Sequence, residues 1–253
     1  MRRHRSHSRS ADTNETASGT THGAVAGLSL AADGLRFVAD RRTFEPGVPV
    51  DWTFRILDDR GDPVEAFEES HGRRSHLVVV RRDLVAFQHL HPTLDETGTW
   101  HCDGFTLPLG GVYRAFVDVV VDGRASTLGL DLFASGTFDV GAALPPVETD
   151  ADARYEVELQ SEQVVAGRSS RLSFAVSRTD GTTPDLRPYL GARGHLVAVR
   201  DGDLAYLHVH PTETEVEGRV EFAVTFPTPG HYRLFLQAKP DDALLTTSFD
   251  VEV

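Results

Sequence analysis

Histidine carries the chemistry of this chain by its spacing. His76, His89, His91 and Pro92 recur as His195, His208, His210 and Pro211 at a constant offset of 119 residues. Imidazole acts as acid, base or metal ligand near neutral pH. Three imidazoles gathered at one point suit a divalent ion such as Cu(II) or Zn(II), so both trios are candidate metal ligands.

Hairpins must position them. HLVVVRRDLVAFQHLHP and HLVAVRDGDLAYLHVHP each hold two apolar runs around a polar break, the pattern of two antiparallel strands. Asp201-Gly202 reads as a type I′ turn. With those residues at the turn centre, His195 lies opposite His208, and His210 shares their face. The same count puts Arg82-Asp83 at the tip of the first hairpin, His76 opposite His89, and His91 beside it. Opposed Cβ atoms lie about 4.5–5.5 Å apart, within reach of one ion. A slip of one residue would turn one strand's histidines to the other face. A second reading of the same residues is structural: Val78, Val80, Val85 and Phe87 share the histidine face, and histidines pack there as buried neutral rings.

Short apolar runs broken by Gly, Pro and Asp, with no sustained helical period, predict an all-β chain. The repeat predicts two tandem immunoglobulin-like (cupredoxin-like) β-sandwich domains. Residues 1–25 form a disordered polar tail in this reading, 26–135 the first domain, 136–152 a linker and 153–253 the second domain. A second repeated motif, PLGGVYRAF (108–116) and PTPGHYRLF (227–235), places Tyr113 and Tyr232 as corner tyrosines whose hydroxyls tie a loop. Arg114 and Arg233 in it are structural or face an anion.

Composition removes several functions. A net charge of −13 excludes nucleic acid and anionic lipid as expected partners. The single cysteine, Cys102, excludes an intrachain disulfide and a Cys-rich zinc site; it is a small buried hydrophobe or, beside His101, a ligand. Methionine occurs only as Met1, which excludes thioether Cu(I) sites. No apolar stretch has transmembrane length. The polar first 21 residues lack the apolar region of a signal peptide, so the chain itself shows no clear export signal, and a cytoplasmic location stays open.

On HLVVVRRDL…FQHLHP and YLG…GHLVAVR…LAYLHVHP, the chain resembles a set of uncharacterised prokaryotic extracytoplasmic proteins over about residues 30–253. More distantly it is similar to copper-resistance modules of the CopC and YtkA type. That resemblance implies export, an immunoglobulin-like fold, and Cu(II) held by histidines at His76, His89 and His91 and at the equivalent trio. The chain departs from it in lacking the methionines and a clear signal peptide.

The expectation is a metal-binding protein with one three-histidine site per domain, for sequestration, delivery or sensing of Cu(II) or Zn(II) outside the cytoplasm. A membrane-bound transporter or metallochaperone would be its partner. The alternatives are a structural or interaction module with packed histidines, a zinc-dependent hydrolase or hydratase, and a pH-responsive surface. No catalytic residue is assigned. There is no Ser-His-Asp pattern, phosphate loop or dinucleotide fingerprint, and no repeated carboxylate beside the histidines, since Asp118 becomes Gln237. The reading leans away from an enzyme.

Overall fold

The computed structural model of the chain describes residues 25–136, 154–161, 163–209, 211–212, 214 and 216–253, with His208 described by its backbone alone. The expected tail and linker fall almost wholly outside the described residues, as does His210. The described residues contain no helix, and so none long and apolar enough to cross a membrane.

The first domain runs β1 (Ala31–Ala32), β2 (Leu35–Ala39), β3 (Thr43–Phe44), β4 (Val50–Leu57), β5 (Ser75–Arg81), β6 (Gln88–Leu90), β7 (Thr93–Leu94), β8 (Thr99–Phe105), β9 (Gly111–Val121) and β10 (Arg124–Ala134). The second runs β11 (Tyr155–Ser161), β12 (Ser169–Arg178), β13 (Leu186–Arg187), β14 (Gly194–Arg200), β15 (Tyr206–Val209), β16 (Pro211–Thr212), β17 (Arg219–Thr225), β18 (His231–Pro240) and β19 (Leu245–Glu252). In the first, sheet β1-β2-β4-β8-β7 faces sheet β3-β10-β9-β5-β6. Trp52, Phe54, Trp100, Leu77 and Leu132 fill the space between them. In the second, sheet β11-β12-β17-β16 faces β13-β18-β14-β15, with β19 paired to β18, over Phe174, Phe222, Leu196 and Leu234. These are two tandem immunoglobulin-like β-sandwiches.

Both corner tyrosines form. The Tyr113 hydroxyl donates to the Leu109 carbonyl at 2.8 Å and Tyr232 to the Thr228 carbonyl at 2.9 Å. The arginine after each is an ion-pair partner: Arg114 to Asp131 at 2.9 Å and Arg233 to Asp250 at 2.9 Å.

Strands β5 and β14 are buried on both faces, which explains their unbroken apolar runs. Leu77 and Val79 enter the first sandwich core, and Leu196 and Ala198 the second. Their alternate neighbours Val78, Val80, Val197 and Val199 instead build a third apolar cluster shared by the two domains. Phe87 stacks on Phe235 with ring centres 4.2 Å apart, and Phe116 on Tyr206 at 4.4 Å. The 119-residue offset converts Phe87 into Tyr206 and Phe116 into Phe235, so the two stacks are one contact made twice. The domains therefore meet about a pseudo-twofold axis, each presenting the same surface.

The hairpin register differs from the expected one by two residues. Val78 pairs with His89 and Val197 with His208, so position 91, not 89, lies across from His76. The reason is the loop. Arg81 N–H donates to the Val85 carbonyl and Arg200 N–H to the Ala205 carbonyl, closing loops longer than a two-residue turn. Leu84 and Leu204 take positive φ of 60° and 62° at their ends. A left-handed leucine costs about 1–2 kcal/mol, but both side chains are almost wholly buried in the interdomain cluster, which offsets it. A shift of two keeps every side chain on its expected face.

Candidate metal centre

His76 on β5, His89 on β6 and His91 just beyond it lie on the interdomain face of the first sandwich. One ring nitrogen from each falls within 4.8 Å of the others, and His76 and His89 are buried. Ring centres are 5.2 Å apart for His76–His89, 5.2 Å for His76–His91 and 4.7 Å for His89–His91. Imidazoles bound to one ion at about 2.0–2.1 Å place ring centres about 3.2 Å from it, and about 5.2 Å from one another in a tetrahedron. The three rings already have nearly that spacing.

The outer hydrogen bonds fix which nitrogens carry protons. His76 Nε2 lies 3.1 Å from the Ser70 carbonyl, and His89 Nδ1 lies 2.7 Å from Gln237 Oε1. Carbonyl oxygens only accept, so both nitrogens donate. In neutral rings that leaves lone pairs on His76 Nδ1 and His89 Nε2, and these two atoms face each other at 3.0 Å. Two lone pairs at that distance repel unless a cation, a proton or a metal ion, is shared between them. An imidazole that donates its outer N–H to a carbonyl is the usual arrangement of a metal-bound histidine.

The Ser70 carbonyl is aimed by a tight turn. Ser70 N–H and Arg73 N–H bond each other's carbonyls, with His71 and Gly72 both at positive φ between them. The second domain repeats this turn at Tyr189–Ala192, with Leu190 and Gly191 at positive φ. Its Tyr189 carbonyl accepts from His195 Nε2 at 2.8 Å. The two-residue turn chemistry expected at Asp201-Gly202 thus occurs in the loop before each hairpin.

His195 leaves its own domain's surface for the shared one. It is 2% exposed, and its ring centre lies 6.1 Å from that of His76 and 5.9 Å from that of His89. His71 lies 6.5 Å from His195. The structure thus brings together His76, His89, His91 and His195; the side chains of His208 and His210 are outside what is described.

Gln237 was not among the expected site residues. It pairs with His195 across β14 and β18, as Asp118 pairs with His76 across β5 and β9. Gln237 also receives His89 from the other domain and donates to Thr246 Oγ1 at 3.2 Å. Asp118 accepts from Thr127 at 2.6 Å and from Tyr206 of the second domain at 2.7 Å. Burial, and then the charge of Asp118, push the Tyr206 phenol far above its ordinary pKa of 10.0, so it stays a donor. The available signal was one polar residue at the same place in each of two apolar strands.

Two other expectations resolve away from the site. Cys102 faces the first sandwich core, where burial pushes its thiol up to about 12; a protonated thiol is no metal ligand. His101 is bonded to Asp95 at 2.9 Å on the outer, solvent-facing side of β8. A cavity of about 410 Å³ reaches His76, with Arg73, Arg74, Asp118 and Tyr206 on its wall.

A family model described as a domain of unknown function, DUF8832, matches residues 30–136 and again 149–253. No curated protein matches the chain. Among solved structures it is similar to InvD of Yersinia pseudotuberculosis, at 12% identity and a TM-score of 0.30 over 88% of this chain and 58% of that one. It is also similar to the Escherichia coli adhesin FdeC, at 11% identity and a TM-score of 0.26 over 89% of this chain and 65% of that one. The chain thus spans about three fifths of the length of those two structures. A third similar structure, the titin domains z1z2 in complex with telethonin, has 13% identity and a TM-score of 0.23 over 88% of this chain and 98% of that one. None of these comparisons supports the resemblance to copper-resistance modules.

Proposed function

The chain belongs to the DUF8832 domain family, whose domain it carries twice, and we propose that it is a metal-binding protein holding Cu(II) or Zn(II) at His76, His89 and His91. The observation that carries this reading is the pair of facing nitrogens, His76 Nδ1 and His89 Nε2, 3.0 Å apart with both outer nitrogens committed to carbonyls. That pair calls for a shared cation, and the His91 ring, 5.2 and 4.7 Å from the other two, supplies the third donor. All-nitrogen donors suit Cu(II) and Zn(II), with Cu(II) the tighter by the usual divalent order. An ion held among buried rings exchanges slowly, which suits sequestration or delivery. The cavity beside His76 gives a path for entry. Following the resemblance to exported proteins, the site would work outside the cytoplasm, with a transporter or metallochaperone as partner. The second trio, His195, His208 and His210, would make the equivalent site.

The test is native mass spectrometry of the purified protein offered Cu(II), Zn(II) and Ni(II) in competition. The wild type retains an ion, and His89→Ala loses it. A wild type that retains none overturns the proposal. That result favours a second reading, supported by the bonds from His76 and His195 to loop carbonyls: the histidines are interdomain packing groups, with a proton shared between His76 and His89.

A further inference from the structure

We propose that the cavity beside His76 is a binding site for a small organic monocarboxylate, with Arg73 and Arg74 as its anion-binding groups. The site goes beyond the metal-binding reading and does not depend on it. The cavity opens at the junction of the domains, with Ser70, Arg73, Arg74 and Asp118 on one side and Tyr206, Leu207 and Pro227 on the other. Domain junctions are a common place for small-molecule pockets. A cavity of about 150 Å³ holds benzene, so one of about 410 Å³ takes an acid built on a ring or a short chain.

The charged wall of the cavity carries an unbalanced positive charge. Arg81, Arg114, Arg200 and Arg233 each hold an aspartate. Arg73 and Arg74 are exposed and pair with no carboxylate among the described residues, in a chain whose net charge is −13. Asp118 is the acid on the wall, and its two oxygens take hydroxyls from Thr127 and Tyr206. Two guanidiniums against one carboxylate leave one charge for a ligand to neutralise, and the planar guanidinium matches a carboxylate in shape. Ala26, Leu207 and Pro227 offer the body of the acid an apolar surface. The repeat shows that the space is particular to this side. At the 119-residue offset, Ser70 stands where the second domain has Tyr189, whose ring centre lies 5.7 Å from that of His195. Arg73 stands in place of Ala192, and Asp118 in place of Gln237. The smaller side chain leaves room beside His76, and the charged ones border that room.

The test is isothermal titration calorimetry on the full chain, stripped of metal by a chelator. The probes are butyrate, benzoate, the uncharged counterpart benzamide, and inorganic phosphate. Butyrate or benzoate is expected to bind one per chain, at least about tenfold tighter than benzamide or phosphate, the worth of a charge-assisted bond. The double variant Arg73→Gln/Arg74→Gln is expected to lose that preference; both side chains are exposed, so the fold is kept. Ser70→Tyr brings in the ring that the second domain carries in the same turn and is expected to abolish binding. No heat from any probe, benzamide binding as tightly as benzoate, or unchanged binding of the acid by the double variant overturns the proposal. Phosphate binding tighter than either acid overturns it as well. Metal retention is read separately by mass spectrometry, so this site and the metal centre can each fail alone.

Discussion

At the scale of single residues, the site is organised by where protons must be. Carbonyls of Ser70, Tyr189 and Gln237 each take an imidazole N–H, and the inner nitrogens of His76 and His89 face each other as electron donors. Tyr206 of the second domain and Asp118 of the first form a further polar contact between the domains. Removing the Tyr206 hydroxyl tests its worth without disturbing packing, because the stack on Phe116 needs only the ring. Tyr206→Phe takes one buried donor from a carboxylate and is expected to cost about 1–3 kcal/mol. Denaturant unfolding of the two proteins in parallel measures it. A difference below the experimental error would show that the hydroxyl contributes nothing to domain docking.

At the scale of elements, β5-β6 and β14-β15 do two tasks. One face of each hairpin closes its own sandwich, and the other carries histidines and valines to the neighbouring domain. Strands β18 and β19 of the second domain are tied together by Arg233, 3% exposed, and Asp250. The Arg233 guanidinium hydrogen-bonds the Asp250 carboxylate and holds its pKa below the ordinary 3.8, against an opposing effect of partial burial. A carboxylate depressed in the folded state stabilises it above the unfolded pKa, and the contribution is lost as pH falls through the folded value. Stability should therefore decline below about pH 4, near the unfolded aspartate pKa. Asp250→Asn should be less stable than wild type at pH 6, and the gap should shrink at pH 3. Urea midpoints at the two pH values check this; a constant gap would show that the pair is not linked to proton uptake.

At the scale of the whole molecule, the two sandwiches act as one body because a third apolar cluster joins them. Leu84, Phe87 and Phe116 meet Leu204, Tyr206 and Phe235 there. Phe235 is fully buried on that face. Phe235→Ala deletes one of the two pseudo-equivalent stacks and is expected to cost about 3–5 kcal/mol. Calorimetry should show the wild type unfolding in a single transition and the variant in two, one per domain. A single unshifted transition in the variant would mean that the domains are coupled elsewhere.

Much of this was legible in the chain itself. Apolar runs and turn residues dictate β-strands, because a period of two leaves no other way to bury Leu77 and Val79. The 119-residue offset dictates two like domains, and side-chain parity dictates that His76, His89 and His91 share a face. Parity also survived a misplaced turn, since a shift of two residues returns each side chain to the same side. Gln237 and His195 could not be placed in the same site from sequence. Their meeting with His89 and His76 depends on which outer faces dock and at what angle, and that is set by the summed packing of Phe87, Phe116, Tyr206 and Phe235. Local pattern determines what each strand offers; only the closed three-dimensional contact determines whom it meets.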